Sequence, residues 1–427
     1  MTDALALDDL HASVSDPAAA SMDFLNEVAA RFPAAIPLAA GRPYDGFHTA
    51  ADLTRYLGGY LDHLAGLGLD AARRDRHLLQ YGRTNGLLGP LIARMLARDE
   101  DVHVPAEAVM VTSGAQEAMV VALRGLCAGP RDVVLAVDPC YVGLTGAARL
   151  LGVEVVPVPE SPAGLDPEDV LAAARAVRAS GRRPRALYLV PNCANPSGAT
   201  LPLPARRRLL EVADEADLLL LEDDPYGLFA EPALPSLKSL DASGRVVYLG
   251  SFAKSCFPGA RVGFLVADRP VTDRQGRRAL LAERLSTVKS LLTVNTSPVA
   301  QAVVGGYLLA HDCSLRAATR PKAAVYRRNL RTLLTALDRA FADHPGVRRS
   351  APAGGFFAVL DVPFVADKAL LEVSGRDYGV LWTPMSFFHQ APAAGLRSLR
   401  LSCSALAPDR IEEGVRRLAR LVADRTP

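Results

Sequence analysis

A series of short, wholly apolar runs, separated by helical stretches, constrains the fold of this chain more than any other feature. An apolar run without alternation predicts a strand buried on both faces, and helices between such strands predict parallel crossover connections. The sequence therefore predicts an α/β fold whose large domain holds a mainly parallel, seven-stranded sheet. The predicted strands lie at residues 108–112, 132–137, 153–158, 186–192, 218–224, 246–251 and 262–267.

This pattern changes on both sides of residues 65–290, which we predict to form the large domain. Residues 291–427 are mostly helical at first and then contain strand-like runs at 354–362 and 398–404, so they predict a smaller α+β domain. Residues 1–64 are expected to contribute an N-terminal segment to that smaller domain. A chain of 427 residues is long enough to bury a large core in this arrangement.

The charge balance and the cysteine pattern exclude several classes of partner and location. Lys and Arg total 48 against 46 Asp and Glu, so neither nucleic acid nor a membrane surface is an expected partner. The sequence has neither a run of 18 apolar residues nor a basic-then-apolar leader, so we expect neither a transmembrane helix nor a signal peptide. Six scattered cysteines without a CxxC pair favour reduced thiols and a cytoplasmic location. Eight scattered histidines predict no metal site.

Five clusters of small or polar residues each follow one of the predicted strands. In an open α/β sheet, ligands bind beyond the C-terminal ends of the strands, so these clusters are expected to meet there. The clusters are Ser113-Gly114-Ala115-Gln116, Asp138-Pro139-Cys140-Tyr141, the Asn195-Pro196 turn within residues 191–198, Glu222-Asp223-Asp224-Pro225-Tyr226, and the loop 251–263 that contains Lys254 and Arg261.

Each cluster offers a different chemical group. The small residues at 113–116 open a predicted helix, whose N-terminus attracts an anion such as phosphate. Tyr141 can stack on a flat heterocycle, Asn195 can donate to a phenolic oxygen, and a carboxylate of the run 222–224 can pair with a protonated ring nitrogen. Lys254, if desolvated beside a second cation, becomes a nucleophilic amine. Taken singly, each group has an ordinary structural explanation such as a helix cap, a packed ring or a turn.

Together these groups match the requirements of pyridoxal 5′-phosphate. Their order and spacing resemble the fold-type I pyridoxal-phosphate enzymes, specifically the class I/II aminotransferases, from about Gly41 to Arg400. The aminoadipate/kynurenine-type and valine–pyruvate-type branches are the nearest. The resemblance implies an enzyme that moves an α-amino group between an amino acid and a 2-oxo acid, and a homodimer with active sites at the subunit interface.

The resemblance also implies a role for each site residue. Lys254 would form a Schiff base with the cofactor and move the substrate α-proton, and Asp223 would pair with the pyridine nitrogen. The other implied roles are Tyr226 and Asn195 at the 3′-oxygen, Tyr141 on the ring face, Gly114, Ala115, Gln116, Ser251 and Arg261 at the phosphate, Tyr81 at the phosphate of the neighbouring subunit, and Arg400 with Gly41 and Asn195 at the substrate carboxylate.

The chain departs from the family pattern in one loop. It has Pro384-Met385 where the family usually has Pro-Gly, and Trp382 is the single tryptophan of the chain. We expect Trp382 and Met385 either to reshape the substrate pocket or only to pack. Arg42 and His48 lie near the N-terminal substrate segment, and neither can be assigned a role.

The same residues leave other reaction outcomes open. Elimination or replacement, carbon–carbon bond formation, decarboxylation and oxidation use the same carbanion, and S-adenosylmethionine would be a candidate substrate for such an enzyme. A pyridoxal-phosphate-sensing transcription regulator is disfavoured, because only about 40 residues precede Gly41 and they contain no basic recognition helix. The substrate side chain is not readable from the sequence.

Overall fold

The structure, a computed structural model, has a large domain built on one sheet and a small domain packed beside it. It describes residues 4–15, 24, 27–161, 164–391 and 393–426. Residues 1–3, 16–23 and 25–26 of the predicted N-terminal segment lie outside the described residues.

The strands, in chain order, are β1 (Ile36–Pro37), β2 (Val109–Thr112), β3 (Asp132–Asp138), β4 (Glu154–Ser161), β5 (Gly164–Leu165), β6 (Arg183–Leu189), β7 (Leu219–Asp223), β8 (Val246–Ser251), β9 (Gly263–Val266), β10 (Pro270–Thr272), β11 (Arg278–Leu280), β12 (Arg348–Arg349), β13 (Phe357–Asp361), β14 (Val380–Leu381), β15 (Thr383–Pro384) and β16 (Ser398–Ser402). The α-helices span Ala50–Gly66, Ala71–Leu79, Gly89–Glu100, Ala115–Leu126, Val142–Leu150, Pro167–Ala179, Leu203–Glu215, Leu237–Leu240, Leu281–Leu292, Pro298–Ala310, Leu315–Phe341, Lys368–Val373 and Pro408–Arg425.

The main sheet confirms the predicted α/β fold. Within the described residues it has eight strands in the order β2-β9-β8-β7-β6-β3-β4-β5. The five strands from β8 to β4 pair in parallel, whereas β9 is antiparallel to both of its neighbours. All seven predicted strands are present. The additional strand, β5, has two residues and pairs antiparallel with β4, so it is too short to give a hydrophobic pattern and the predicted number was one too low.

The strand order places a crevice at the C-terminal ends of β3 and β6. These neighbouring strands lead in opposite directions across the sheet, since β4 lies beyond β3 and β7 lies beyond β6. Such a switch point leaves space for a ligand because the connections on either side diverge. The buried faces of the strands, for example Leu220 and Leu221 of β7, are fully covered by the flanking helices.

The small domain is an antiparallel sheet covered by two long helices. Its strand order is β12-β13-β16-β15, and the helices Leu315–Phe341 and Pro408–Arg425 pack on it. The N-terminal strand β1 pairs in parallel with β14, so Ile36 and Leu38 lie in the core of this domain.

The helix Ala50–Gly66 packs against the helix Pro298–Ala310 and beside the strands β2 and β9 of the main sheet. The predicted boundaries after residues 64 and 290 stay a prediction.

The contact between these two helices requires a glycine. A Cβ atom on Gly306 would lie 1.7 Å from the carbonyl oxygen of Tyr56. We therefore expect Gly306→Ala to separate the helices and to destabilise the protein by roughly 1–3 kcal/mol, the usual effect of overpacking. The measurement is the midpoint of urea unfolding, which should fall.

Gly59→Ala is the matched control in the same helix pair. A Cβ on Gly59 would meet nothing within 4 Å. Because alanine favours a helix over glycine by up to ~1 kcal/mol, this variant should unfold at the same or a higher urea concentration. If the urea midpoints of both variants shifted in the same direction, this result would contradict the close approach of Gly306 to the backbone of Tyr56.

Candidate active site

A cavity of ≈ 380 Å³ lies at the C-terminal edge of the main sheet, between the large and small domains. Most residues that the sequence predicts for the site line this cavity. Gly114 adjoins it through Arg261, and Tyr81 is not among the lining residues. The predicted residues that do line it are Gly41, Ala115, Gln116, Tyr141, Asn195, Asp223, Tyr226, Ser251, Lys254, Arg261 and Arg400.

Lys254 follows β8 and lines the cavity, where its ammonium group is partly buried. Its Nζ donates to the carbonyl oxygen of Gly41 over 2.9 Å. Burial, together with the positive charges of Arg400 and Arg261, lowers the pKa of Lys254 to about 8. A lysine with this pKa has a substantial neutral fraction near pH 8, so it can act as a nucleophile and as a base.

Asp223 ends β7 with one carboxylate oxygen satisfied and one not. The hydroxyl of Tyr188 donates to Oδ2 over 2.7 Å, whereas Oδ1 is buried and has no hydrogen-bond partner among the described residues. Burial raises the pKa of Asp223 to about 7. An unsatisfied buried oxygen is costly, and a protonated ring nitrogen placed in the cavity would satisfy it. The site therefore fits the pyridine ring of pyridoxal phosphate.

An anion site is built at the start of the helix Ala115–Leu126. Gly114 caps this helix with φ 82°, and a Cβ there would lie 2.5 Å from Nη2 of Arg261. Arg261 itself has a left-handed backbone with φ 51°. The free N–H groups of the helix start and the adjacent guanidinium group together form a cradle that suits a phosphate.

Gln116 and Ser251 line this cradle but already have protein partners. The Gln116 amide donates to the carbonyl of Gly143 over 2.7 Å, and the Ser251 hydroxyl accepts the N–H of Ala253 over 3.2 Å. The serine keeps its own O–H for a ligand.

A buried ion pair supports this cradle from behind, and the sequence reasoning missed it. The carboxylate of Glu117 accepts the N–H of Ser113 over 2.6 Å and the hydroxyl of Thr293 over 2.6 Å. Nζ of the fully buried Lys289 lies 3.3 Å from the same carboxylate. A glutamate inside a predicted helix and an isolated lysine both look like surface residues, so nothing in the sequence pattern points to them.

Arg400, on β16, is held between two aromatic rings. Its guanidinium carbon lies 4.4 Å from the centroid of Phe357 and 4.8 Å from that of Phe388. Nη2 donates to the carbonyl of Ala39 over 2.8 Å, and Nη1 donates to the side-chain oxygen of Asn195. Burial lowers the pKa of Arg400 to about 10, which leaves it positively charged at neutral pH. No carboxylate among the described residues pairs with this buried cation, which favours the binding of an anionic ligand.

Gly41 and Tyr226 complete the wall below Arg400. A Cβ on Gly41 would lie 2.6 Å from Cζ of Phe357, so only glycine fits there. Tyr226 packs edge-on against Phe357, with ring centroids 5.8 Å apart, and burial raises the pKa of its hydroxyl. Tyr141 precedes the helix Val142–Leu150 and also lines the cavity.

Trp382, Met385 and Tyr81 lie outside the cavity lining. Trp382 is fully buried and its indole N–H donates to the hydroxyl of Ser374 over 3.1 Å. Met385 packs with Val142 and Phe388, so it supports a lining residue without reaching the ligand. Tyr81 is 86% exposed on the surface of the subunit.

The segment with His48 and Arg42 has contacts that the sequence did not assign. Nε2 of His48 lies 2.8 Å from Nζ of Lys322. Lys322 also donates to the carbonyls of Ser255 and Cys256, directly after Lys254. Burial lowers the pKa of Lys322 to about 8. The carbonyl of Arg42 accepts the hydroxyl of Ser404.

Three further properties concern metals, membranes and thiols. The described residues contain no group of three or more His, Cys, Asp or Glu that could hold a metal ion. In that same part of the chain, every helix is too short or too polar to cross a membrane. All six cysteines are free and buried.

Comparison with known proteins agrees with this site. The family described as "Aminotransferase class I and II" matches residues 55–418. The chain is 50% identical over 422 residues to an (S)-3,5-dihydroxyphenylglycine transaminase of Amycolatopsis orientalis, covering 99% of this chain and 95% of that protein. It is 34% identical to a 2-aminoadipate transaminase of Thermus thermophilus, covering 80% of this chain and 81% of that one.

Solved structures give the same result. An α-aminoadipate aminotransferase of Thermus thermophilus matches with a TM-score of 0.76 at 29% identity, covering 98% of this chain and 99% of that one. A multiple substrate aminotransferase of Thermococcus profundus matches with a TM-score of 0.82 at 24% identity over 98% of both chains, which shows the shared fold.

The chain therefore belongs to the class I and II aminotransferases, of fold type I. It is an aminotransferase that uses pyridoxal phosphate, as the sequence predicted, and the elimination and replacement alternatives are not favoured. The family fold also occurs in regulators: the chain is 34% identical to the HTH-type transcriptional regulator TauR of Rhodobacter capsulatus, covering 82% of this chain and 68% of that protein.

The pKa of Lys254 gives a direct test of the site. In cofactor-free protein, the rate of acylation of Lys254, followed by peptide mass spectrometry, should reach half its maximum near pH 8 because only the neutral amine reacts. Arg261→Gln should move this midpoint upward, since it removes a nearby positive charge. A midpoint near 10.5, the ordinary value for lysine, would contradict the desolvated position.

Proposed function

We propose that this aminotransferase transfers the amino group of an α-amino acid with an aromatic side chain, of the arylglycine class, to a 2-oxo acid. The observation that carries the proposal is the composition of the cavity wall. The side chains of Phe357, Phe387, Phe388 and Tyr141 surround the cavity beside Arg400. Aromatic rings bind best against other rings, by stacked or edge-on contacts.

The charges of the cavity support an uncharged substrate side chain. The cationic residues among those that line it are Lys254, Arg261 and Arg400. Arg261 belongs to the phosphate cradle and Arg400 to the α-carboxylate, and Lys254 is the reactive amine. A second carboxylate, as in 2-aminoadipate, would enter the aromatic part of the cavity without a counter-ion, which is unfavourable. The relative that is 50% identical is named for an arylglycine substrate.

The described residues would hold pyridoxal phosphate as follows. Asp223 would bind the ring nitrogen, Tyr226 and Asn195 the phenolic oxygen, and Tyr141 one face of the ring. Lys254 would bind the aldehyde carbon. The phosphate would lie against Gly114, Ala115, Gln116, Ser251 and Arg261, and Tyr81 would reach the phosphate bound to a second subunit.

When bound, the cofactor supplies a carbonyl that condenses with the substrate amine and a ring that accepts the electron pair of the Cα–H bond. Arg400 fixes the substrate carboxylate with two parallel N–H donors, which orients the Cα–H bond toward Nζ of Lys254. The neutral Nζ of Lys254 would accept the α-proton and would later donate a proton to the carbon that was the cofactor's aldehyde carbon. Asp223 would stay ionised beside a protonated ring nitrogen, and the buried walls would exclude water from the reacting carbon.

A single-turnover experiment tests the proposed substrate. Holoenzyme is mixed without an acceptor with (S)-3,5-dihydroxyphenylglycine, L-phenylglycine, L-2-aminoadipate or L-leucine, and the 2-oxo acid is quantified by mass spectrometry. The arylglycines should each give one equivalent per active site, at least tenfold faster than 2-aminoadipate, because a side-chain carboxylate lacks a counter-ion.

Lys254→Ala is the control for this experiment. This variant retains the cavity but lacks the amine that acts as nucleophile and base. The rate of 2-oxo acid formation should therefore fall by several orders of magnitude. Faster turnover of 2-aminoadipate than of either arylglycine would refute the substrate assignment. An eliminated or coupled product with the cofactor returned unchanged would refute transamination of that substrate.

We also propose that the enzyme acts as a homodimer in the cytoplasm. A patch of exposed apolar side chains supports the dimer; its two segments are Leu79–Tyr81 and Leu291–Val294. The segments are neighbours, since a Cβ on Gly82 would lie 3.7 Å from Nδ2 of Asn295. Contiguous exposed apolar surface of this kind is typical of a subunit interface. The free, buried thiols agree with a reducing location.

Leu291 is the residue whose substitution tests this interface. Its side chain is 85% exposed, so Leu291→Glu should leave the fold intact but place a charge in the contact. Analytical ultracentrifugation should show a dimer for the wild type and a monomer for the variant at micromolar concentration. Leu150→Glu, at another exposed leucine, should remain dimeric. A monomeric wild type, or equal dissociation of both variants, would refute the proposal.

A further inference from the structure

Three hydrogen bonds join the end of β3 in the large domain to a segment of the small domain. Oδ2 of Asp138 lies 2.7 Å from Nδ1 of His389, and Oδ1 accepts the N–H of Gln390 over 3.0 Å. Two residues further along, the N–H of Cys140 donates to the carbonyl of Phe388 over 2.7 Å. Both oxygens of one carboxylate are thus committed to consecutive residues of the other domain.

Both joined segments carry aromatic residues that line the cavity. Tyr141 follows Asp138 by three residues, and Phe387 and Phe388 directly precede His389. All three rings line the cavity and belong to one hydrophobic cluster. Phe388 also lies against the guanidinium group of Arg400, at 4.8 Å. A shift of His389 would therefore move the aromatic wall relative to both the ring-stacking tyrosine and the carboxylate-binding arginine.

The surroundings of His389 limit the ring to this contact. The side chains of Asp138 and His389 are only 15% and 16% exposed, so water competes weakly for their hydrogen bond. Gly395 packs behind the ring with φ 68°, and a Cβ there would lie 2.6 Å from Cδ2 of His389. Outside the cavity, Phe387 packs edge-on against Phe24, with centroids 6.4 Å apart.

We propose that Asp138 is a positioning residue that, through His389 and Gln390, holds Phe387 and Phe388 beside Tyr141 in the arrangement that an aromatic substrate side chain needs. This role rests on the proposed function only in the choice of an aromatic substrate. It assigns to an acidic residue outside the cavity a part in side-chain selection, while binding of the α-carboxylate remains with Arg400.

Binding of unreactive carboxylates to the holoenzyme tests this role without catalysis. Isothermal titration calorimetry gives the dissociation constants of phenylacetate, which presents a ring to the wall, and of acetate, which does not. Asp138→Ala and His389→Leu should each raise the dissociation constant of phenylacetate roughly tenfold, which is the effect of losing one charge-assisted hydrogen bond. The dissociation constant of acetate should change less than twofold.

Three further variants sharpen the test. His389→Asn keeps an N–H donor close to the position of Nδ1 and should restore most of the phenylacetate affinity. The double variant Asp138→Ala/His389→Leu should bind phenylacetate no worse than Asp138→Ala alone, because Asp138→Ala already removes the contact with His389. His103→Leu is the matched control: it breaks an exposed Asp101–His103 pair of 2.8 Å, and should leave both ligands unaffected.

Equal weakening of phenylacetate and acetate would overturn the proposal, as would unchanged phenylacetate affinity or additive losses in the double variant. If Asp138→Ala fails to fold, the comparison of His389→Leu with His389→Asn decides alone. Equal loss of phenylacetate affinity in these two variants would overturn the proposal. The substrate proposal fails separately, in the single-turnover experiment, because the titration needs no reaction.

Discussion

Three consecutive carboxylates, Glu222, Asp223 and Asp224, end the central strand β7 inside the protein, and burial raises the pKa of each. Burying such groups is unfavourable unless each finds donors. Glu222 accepts two backbone N–H groups at the start of the helix Leu237–Leu240, and Asp224 accepts the N–H of Gly227. Asp223, which lines the cavity, keeps one oxygen without a hydrogen-bond partner among the described residues. The loops around β7 are thus organised so that two of the three charges are satisfied by protein and the third by a ligand.

The reactive lysine depends on parts of the chain that are far apart in sequence. Gly41 of the N-terminal segment receives the hydrogen bond of Lys254, and Lys322 of the long helix Leu315–Phe341 holds the carbonyls of Ser255 and Cys256. His48 joins that helix to the N-terminal segment. The position of one nitrogen is consequently determined by the strand end, the chain start and the small-domain helix together, which explains why the site lies between the domains.

The sequence was sufficient to predict the elements and residues whose environment follows from local pattern. The strands of the main sheet are apolar because they are buried on both faces, and Asp223 and Lys254 stand out because polar residues follow such strands. Residues whose role comes from tertiary contacts were not predictable. Tyr188 looks like one more apolar strand residue, although its hydroxyl holds Asp223. The departure at Trp382 and Met385 drew attention to the correct loop, but the neighbouring Phe387 and Phe388 reach the cavity, because the direction of each side chain depends on the turn geometry.

The six buried cysteines have a practical consequence for work on this protein. Burial raises the pKa of every one of them, to about 11 for Cys127 and about 12 for Cys193 and Cys403, so the thiolate form is scarce at neutral pH. Maleimides and similar reagents react with the thiolate of accessible cysteines. The native cysteines should therefore not react with such labels. A cysteine introduced on the surface could carry a fluorophore or spin probe without prior removal of the natural thiols.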